Sequence, residues 1–149
     1  MRRFVLDAEQ LLPRPLGEVF AFFSDPGNLQ RITPPWLDFE IIGGHDRQMR
    51  AGLLIDYRLR IHGLPVRWQS EITIWDPPRR FVDEQRRGPY RLWIHEHTFE
   101  ARGNSTLVRD RLQYAVPGGV LVQKLFVARD VDRIFAFRRQ RLEEVFAAD

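Results

Sequence analysis

The C-terminal stretch of the chain, residues 119–148, reads GVLVQKLFVARDVDRIFAFRRQRLEEVFAA. As an α-helix that rises about 1.5 Å per residue, it would be on the order of 40 Å long, enough to cross a small domain. An apolar stripe recurs at steps of three and four residues and consists of Leu121, Leu125, Ala128, Val131, Phe135, Leu142 and Phe146. The charged residues fall largely outside it. This pattern predicts one long amphipathic helix that lies on a partner surface.

The rest of the chain is expected to supply that surface. Phe4 to Leu12 alternates as a first strand, and two short helices follow, the second capped by Asp25 with Pro26 at its first position. Further strands are predicted at 37–42, 53–61, 66–74, 81–86, 90–99 and 107–116. Their short connections require antiparallel neighbours, and a curved antiparallel sheet must cover one face. We therefore expect an α+β fold of about seven strands wrapped on the long helix, as a single domain over residues 1–149.

Composition excludes several classes of protein. The chain has 149 residues, 44% apolar and 29% charged, which is typical of a globular domain with a real core. Because it has no cysteine, it has neither disulfides nor a thiolate nucleophile nor a Cys-ligated metal site. No apolar run approaches the length of a membrane span, and the N-terminus does not resemble a signal peptide. We expect a cytoplasmic protein that is a monomer or a homodimer.

The basic character of the chain does not predict a nucleic-acid partner. The pI is near 9.9, but the formal net charge is only +3. Lys124 is the only lysine, and the arginine pairs are scattered among acidic residues without sharing a helical face. A solvated surface is the expected role of these charges.

Two stretches carry a family resemblance. The order of elements, with SDPGNL at 24–29 closing the first helix, resembles the helix-grip superfamily of START lipid-transfer domains, birch-pollen-allergen-like proteins and aromatic polyketide cyclases. The segments ITPPWL (32–37) and GPYRLWIHEHTF (88–99) resemble its small bacterial stand-alone members. The resemblance implies a cavity between the sheet and the long helix. It implies neither a shared catalytic motif nor an obligatory cofactor.

The period of a strand predicts which side chains face that cavity. Trp93, His95, His97 and Phe99 share one face of their strand, and their aromatic bulk favours this face as the concave one. Neighbouring strands and the helix would add the remaining contacts. The full set of candidate ligand-binding residues is Tyr57, Trp68, Phe81, Asp83, Gln85, Trp93, His95, His97, Phe99, Asp110, Leu112, Tyr114, Leu121, Leu125, Val131, Phe135 and Arg138.

The two histidines admit three interpretations. They could grip a metal ion if Asp83 or Asp110 supplied a third ligand. A neutral histidine beside a carboxylate could instead act as an acid–base group, which makes His95, His97 and Asp110 the catalytic candidates. They could also be cavity-wall residues hydrogen-bonded to their neighbours. We predict no bound metal and no cofactor, because third and fourth ligands are not evident.

Arg138 falls within the apolar stripe of the helix. A buried, unpaired guanidinium costs several kcal/mol, so the side chain must either extend to the rim of the cavity or meet a carboxylate. We expect it to reach the rim; the functional alternative is a cavity cation that would meet a carboxylate or phosphate of a ligand.

The expected function is binding of a hydrophobic or aromatic small molecule, for transport or sequestration. The alternative is a cyclase or dehydratase that acts on a polyketide-like or aromatic substrate with His95, His97 and a carboxylate as acid–base groups. A third class is an interaction module that uses Phe126 or Phe137, which lie off the stripe.

Overall fold

A computed structural model describes residues 1–44 and 47–147, and seven strands form one antiparallel sheet. The order across the sheet is β1-β7-β6-β5-β4-β3-β2, so the first two strands form its opposite edges. The strands are β1 (Phe4–Leu12), β2 (Glu40–Gly43), β3 (Leu54–Ile61), β4 (Leu64–Asp76), β5 (Arg80–Arg87), β6 (Leu92–Arg102) and β7 (Ser105–Ala115). The predicted α+β architecture with a seven-stranded sheet is confirmed.

Two short helical elements follow β1, as predicted. The first is α1 (Leu16–Phe23), which packs on β6 and β7. The second, Pro26–Ile32, is a 3₁₀-helix, and the Asp25 carboxylate caps it by accepting a hydrogen bond of 2.9 Å from the backbone N–H of Gly27. The Asp-Pro dipeptide therefore starts this element as expected, although its turns are tighter than those of an α-helix.

The predicted strand at 37–42 begins too early. Pro35–Leu37 forms a short 3₁₀ turn, and Asp38 ends it in a left-handed conformation with φ of 46°. The strand can start only after this reversal, at Glu40. The alternation predicted for 53–61 is confirmed, because Ile55, Tyr57 and Leu59 are buried on one face of β3.

The last helix is continuous but is not α-helical throughout. It consists of α2 (Gly119–Val122), a π-helical turn (Gln123–Val127) and α3 (Ala128–Val145). The predicted end at Ala148 lies outside the described residues, and α3 ends at Val145. Because a π turn bonds residue i to i+5 rather than i+4, it rotates the preceding turns relative to an uninterrupted α-helix.

This rotation corrects the predicted stripe. Leu121 and Leu125 are 67% and 59% exposed, so the prediction that they pack against the sheet is wrong. Val122 and Val127, five residues apart, pack there instead. Beyond the π turn the prediction is confirmed, since Leu142 is fully buried and so are Val131 and Phe146.

The core has two clusters along this helix. The larger lies beneath α1 and the C-terminal half of α3, where aromatic rings pack edge to face; Phe20 and Phe99, for example, are 5.1 Å apart. The smaller surrounds Leu112 and Val131, nearer the start of α3. Within the described ranges, no helix combines the length and the apolarity needed to cross a membrane.

Candidate functional site

A cavity of about 470 Å³ lies between the sheet and the elements that cover it. Its volume is within the range of small-molecule sites, and most of its surface is apolar. Strands β3 to β6 form one wall, and the two 3₁₀ segments and α3 form the other. At the rim, exposed His62 meets Asp130 of α3, with 2.7 Å between Nε2 and Oδ2.

Aromatic rings face much of this cavity. Trp68 and Trp93 pack at right angles with their centroids 5.0 Å apart, and Tyr90 packs 4.7 Å from Trp93. The indole Nε1–H of Trp68 donates to the hydroxyl of buried Ser70 at 3.0 Å, which fixes the orientation of the ring. The strand face thus presents flat apolar surfaces with few polar atoms.

Beneath these rings is a buried polar cluster centred on β6. His95 and His97 point to the same side of the strand, as predicted, and their rings stack with centroids 3.7 Å apart. Asp83 of β5 pairs in register with His95, and Asp110 of β7 pairs with His97. Each imidazole bonds the diagonal carboxylate: His95 Nε2 lies 2.8 Å from Asp110 Oδ1, and His97 Nε2 lies 2.7 Å from Asp83 Oδ2.

Arg138 joins this cluster from the helix. Its Nη2 donates to Asp110 Oδ1 at 3.1 Å, both side chains are buried, and the guanidinium carbon lies 5.3 Å from the ring centroid of Phe23. The expectation that Arg138 reaches the rim is therefore wrong. A carboxylate 28 residues away in sequence satisfies the charge within the core, which removes the need for exposure.

Both carboxylates of the cluster are ionised near neutral pH. Burial raises the pKa of Asp110, but the charge of Arg138 and the hydrogen bond from His95 lower it further, to well below its ordinary value. Burial also raises the pKa of Asp83, but the hydrogen bond from His97 and the electrostatic influence of His97, His95 and Arg138 together lower it below its ordinary value. Since ionised carboxylates only accept hydrogen bonds, both imidazoles donate their Nε2–H.

His97 stays neutral. Burial and the neighbouring His95 lower its pKa to about 4, although Asp83 and Asp110 oppose this shift. With Nε2 protonated, Nδ1 of His97 carries the lone pair; in the described part of the chain it has no hydrogen-bond partner and lies 3.5 Å from Asp110 Oδ1. Burial and the charge of Asp83 raise the pKa of Tyr57, so this phenol also stays neutral.

Asp83, His95 and His97 are the residues that could hold a metal ion. Each offers one donor atom, and the three atoms lie within 4.8 Å of one another. Asp110 would then orient the imidazoles as an outer partner. That the protein carries no metal stays a prediction.

Seven of the candidate ligand-binding residues border the cavity: Tyr57, Trp68, Asp83, Trp93, His95, His97 and Arg138. Phe81 borders a smaller adjoining cavity of about 60 Å³ and stacks on His97 with centroids 4.1 Å apart. Asp110 supports His95 and Arg138 from behind. Contact of any of these residues with a ligand stays a prediction.

Other candidates lie away from the cavity wall. Gln85 accepts a hydrogen bond from the backbone N–H of Tyr90 and donates one to its carbonyl, at 3.1 and 2.7 Å, which closes the turn between β5 and β6. Phe99 is buried among the phenylalanines of the larger cluster. Phe135 packs on the smaller cluster, with its ring 5.5 Å from that of His95.

The assignment of five further residues to the cavity wall is corrected. Leu112, Tyr114 and Val131 are buried in the smaller cluster and do not border the cavity. Leu121 and Leu125 face solvent because of the π turn.

Sequence reasoning missed the covering wall and the rim. Most of these side chains come from 3₁₀ segments, loops and the first turns of α3, where no strand period applies. Leu59, Ile61 and Ser70 lie on β3 and β4, where the strand period could have identified them. The Thr33-Pro34-Pro35-Trp36 segment predicted the end of the second short helix, but nothing in its sequence predicted that it would cover the sheet. The missed residues are Leu29, Thr33, Trp36, Leu37, Phe39, Leu59, Ile61, His62, Gly63, Ser70, Tyr90, Asp130, Arg133 and Ile134.

A family model described as polyketide cyclase / dehydrase and lipid transport matches residues 12–139. The chain belongs to this family. The superfamily resemblance seen in the sequence is confirmed. A search of curated proteins finds no significant match.

Solved structures of similar fold span nearly the whole chain. Protein CV1439 from Chromobacterium violaceum has a TM-score of 0.77 at 15% identity, over 98% of this chain and 99% of that one. Ara h 8.0201 has a TM-score of 0.74 at 14% identity, over 99% and 100%. Norcoclaurine synthase from Thalictrum flavum, solved with dopamine and hydroxybenzaldehyde, has a TM-score of 0.69 at 15% identity, over 99% and 90%. At such identities the likeness is one of fold, and it confirms the helix-grip arrangement.

Proposed function

We propose that the protein binds a hydrophobic or aromatic small molecule in the cavity between the sheet and α3. The observation that carries this proposal is the cavity of about 470 Å³ with aromatic walls and an open rim. Burying apolar ligand surface there yields roughly 25 cal/mol per Å² before association costs. Membership of a family described by lipid transport, among other activities, supports the proposal. Transport and sequestration would use the same cavity.

Ligand binding is tested with an environment-sensitive fluorophore and displacement by fatty and aromatic compounds. We expect saturable, displaceable one-to-one binding. Trp93→Ala should change the order of preference among ligands, because it removes one of the packed rings of the wall. Phe126→Ala is the matched control, since Phe126 is 61% exposed and does not border the cavity.

Two outcomes count against the proposal. One is the absence of displaceable binding together with native mass spectra that contain no co-purified small molecule. The other is an equal effect of the two substitutions, which would favour a surface site.

A second candidate function is that of a cyclase or dehydratase, and the geometry of His95 favours it. His95 donates its Nε2–H to an ionised Asp110, so its Nδ1 carries a lone pair and the ring borders the cavity. A base held in this way can accept a proton from a substrate. His97, with a pKa of about 4, is too weak a base for that task near neutral pH. Among proteins of this fold, the norcoclaurine synthase is an enzyme.

The two functions separate with a single variant. His95→Gln keeps a hydrogen-bonding side chain but removes the basic nitrogen. For an enzyme, it should abolish turnover of an identified substrate and leave the affinity for that substrate within a few-fold. Unchanged turnover in this variant would reject His95 as the base.

A further inference from the structure

Asp83 differs from the other buried carboxylate in facing the main cavity. Its Oδ2 accepts the hydrogen bond from His97, and among the described residues its Oδ1 has no hydrogen-bond partner, whereas Asp110 accepts from both His95 and Arg138 through Oδ1. The Asp83 side chain is 19% exposed, against 9% for Asp110, and it borders both the main cavity and the smaller adjoining one. The exposed part of this carboxylate therefore faces the space that a ligand would fill.

Leaving aside the titratable ring of His95, the fixed charges around this floor do not balance. They are the carboxylates of Asp83 and Asp110 and the single guanidinium of Arg138. The guanidinium is bonded to Asp110, and His97 is neutral. The rim adds one charge of each sign, the carboxylate of Asp130 and the guanidinium of Arg133, which lies 4.8 Å over the ring of half-exposed Trp36.

We propose that the ligand presents a hydrogen-bond donor, a phenol hydroxyl or a protonated amine, to the free Oδ1 of Asp83, and that a ligand ending in a carboxylate is rejected. This inference rests on the proposed binding function and adds the polarity of the ligand to it. The apolar body of the ligand would lie against Trp68 and Trp93 while its polar end meets the floor.

Rejection of carboxylates follows from the same arrangement. A second anion beside Asp83 would meet like charge in a site where burial weakens solvent screening. A hydrogen-bond donor on the ligand loses little free energy on entering the cavity, because the ionised carboxylate replaces the water molecule to which the donor was bonded. Such charge-assisted hydrogen bonds are stronger than those between neutral groups. A methyl group or a bare ring end would leave the Asp83 oxygen without a partner, which also costs free energy.

Calorimetric titration with three compounds on one ring system provides the test: 2-naphthol, 2-naphthylmethylamine and 2-naphthoate, all near pH 7. We expect the first two to bind about ten-fold tighter or more than naphthoate, the difference typical of one charge-assisted hydrogen bond. Asp83→Asn should reduce this preference several-fold, chiefly by weakening the amine and admitting naphthoate. Asp130→Asn is the matched control, because it removes a carboxylate at the rim of the same cavity and should leave the preference unchanged.

Each other outcome overturns a defined claim. Naphthoate binding as tightly as naphthol to the native protein would overturn the proposed polarity and leave the binding function intact. If none of the three compounds binds and an uncharged fluorophore does not bind either, the binding function itself fails. Should Asp83→Asn not fold, as judged by circular dichroism, the ranking of the three ligands on the native protein still decides. An equal effect of Asp130→Asn would reject direct contact with Asp83.

Discussion

The two halves of the last helix contain similar residues but have different surroundings. Leu142 in the C-terminal half is 1% exposed, whereas Leu125 in the N-terminal half is 59% exposed, although both were placed on one apolar stripe. The C-terminal half rests on the larger aromatic cluster, and the N-terminal half contacts the smaller one through Val122 and Val127. Apolar residues spaced three and four apart therefore share a face only where the helix is α-helical throughout. One π turn is enough to expose residues that this spacing predicts to be buried.

The packed region and the cavity are expected to serve different roles, the first in stability and the second in binding. Beneath the C-terminal half, rings pack directly on one another and leave little space, whereas the sheet beyond the polar cluster is separated from its cover by the cavity. The ion pair of Arg138 and Asp110 lies between these regions. We therefore expect substitutions to lower stability in the packed region and at this boundary, and to leave it almost unchanged in the exposed half.

The largest loss is expected at the boundary itself. Asp110→Ala should lower the free energy of unfolding by about 3–5 kcal/mol, because it leaves the Arg138 guanidinium buried and uncompensated. Urea denaturation measures the loss. Asp7→Ala is the control, since Asp7 pairs with Arg111 at the surface and its removal should cost less than about 1 kcal/mol. Equal losses in the two variants would show that the buried ion pair of Arg138 contributes no more to stability than an exposed one.

The packed half should respond almost as strongly. Leu142→Ala should cost about 2–5 kcal/mol, the sum of lost transfer free energy and the cavity left between α3 and the sheet. If the dependence of the unfolding free energy on denaturant concentration has the same slope in both proteins, the loss is one of stability alone. A loss below about 0.5 kcal/mol would contradict the packing of this half of the helix.

Acid should weaken the polar cluster. The pKa of His97 is 6.5 in an unfolded chain and about 4 in the folded protein, so between these values only the unfolded state binds a proton. Stability therefore falls with pH from about 6.5 towards 4, by about 2 kcal/mol between about pH 7.5 and about pH 5. Because the pKa values of Asp83 and Asp110 are lowered in the folded protein, these carboxylates continue to contribute to stability until the pH falls below about 4.

The control for this pH dependence is His97→Gln, which lacks the titrating group. Unfolding of both proteins is measured across the same range of pH, and the difference between the two slopes reports His97. Parallel slopes would show that His97 titrates normally in the folded protein, contrary to its burial.

The exposed half should tolerate truncation. Leu125→Ala should change the free energy of unfolding by less than about 0.5 kcal/mol, because the side chain lies largely in solvent. Thermal denaturation of this variant beside Leu142→Ala compares one residue type in both halves. A loss above about 2 kcal/mol would mean that Leu125 is buried in solution, and the contrast between the halves would disappear.

The smallest effect is expected from metal removal. Dialysis against a chelator should leave the melting temperature unchanged, because the described residues bring only three possible ligands together here, whereas a closed structural site takes four. Elemental analysis of the purified protein checks the same point directly. One equivalent of zinc, iron or nickel, lost together with stability on chelation, would assign Asp83, His95 and His97 to a metal site instead.

Local patterns predicted the parts of the site that lie on regular strands. Alternation along β6 correctly turned His95 and His97 inward, and the Asp25-Pro26 signal located the second short helix. Such signals act over a few residues, where the backbone period alone sets the direction of a side chain. They predict part of the sheet face of the cavity, although Leu59, Ile61 and Ser70 on β3 and β4 were not among the candidates.

Long-range placement was beyond these patterns. The pairing of Arg138 with Asp110 depends on how the helix is positioned along the sheet, which no periodicity records. The π turn between Val122 and Ala128 has no compositional mark that would set it apart from an amphipathic α-helix. Trp36 reaches the cavity because a left-handed Asp38 ends the 3₁₀ turn that carries it, and that conformation was not evident from the residue type.

The order of strands has a consequence for the ribosome-bound chain. β1 pairs with β7, so Phe4 cannot pair until Tyr114, 110 residues later, has been synthesised. The hairpins from β3 to β7, by contrast, join strands that are adjacent in sequence. A growing chain can therefore assemble the middle of its sheet early but must keep its first strand unpaired until synthesis is almost complete. Contacts of such separation slow folding. The interval before β7 and the last helix emerge is when this protein would most need a chaperone.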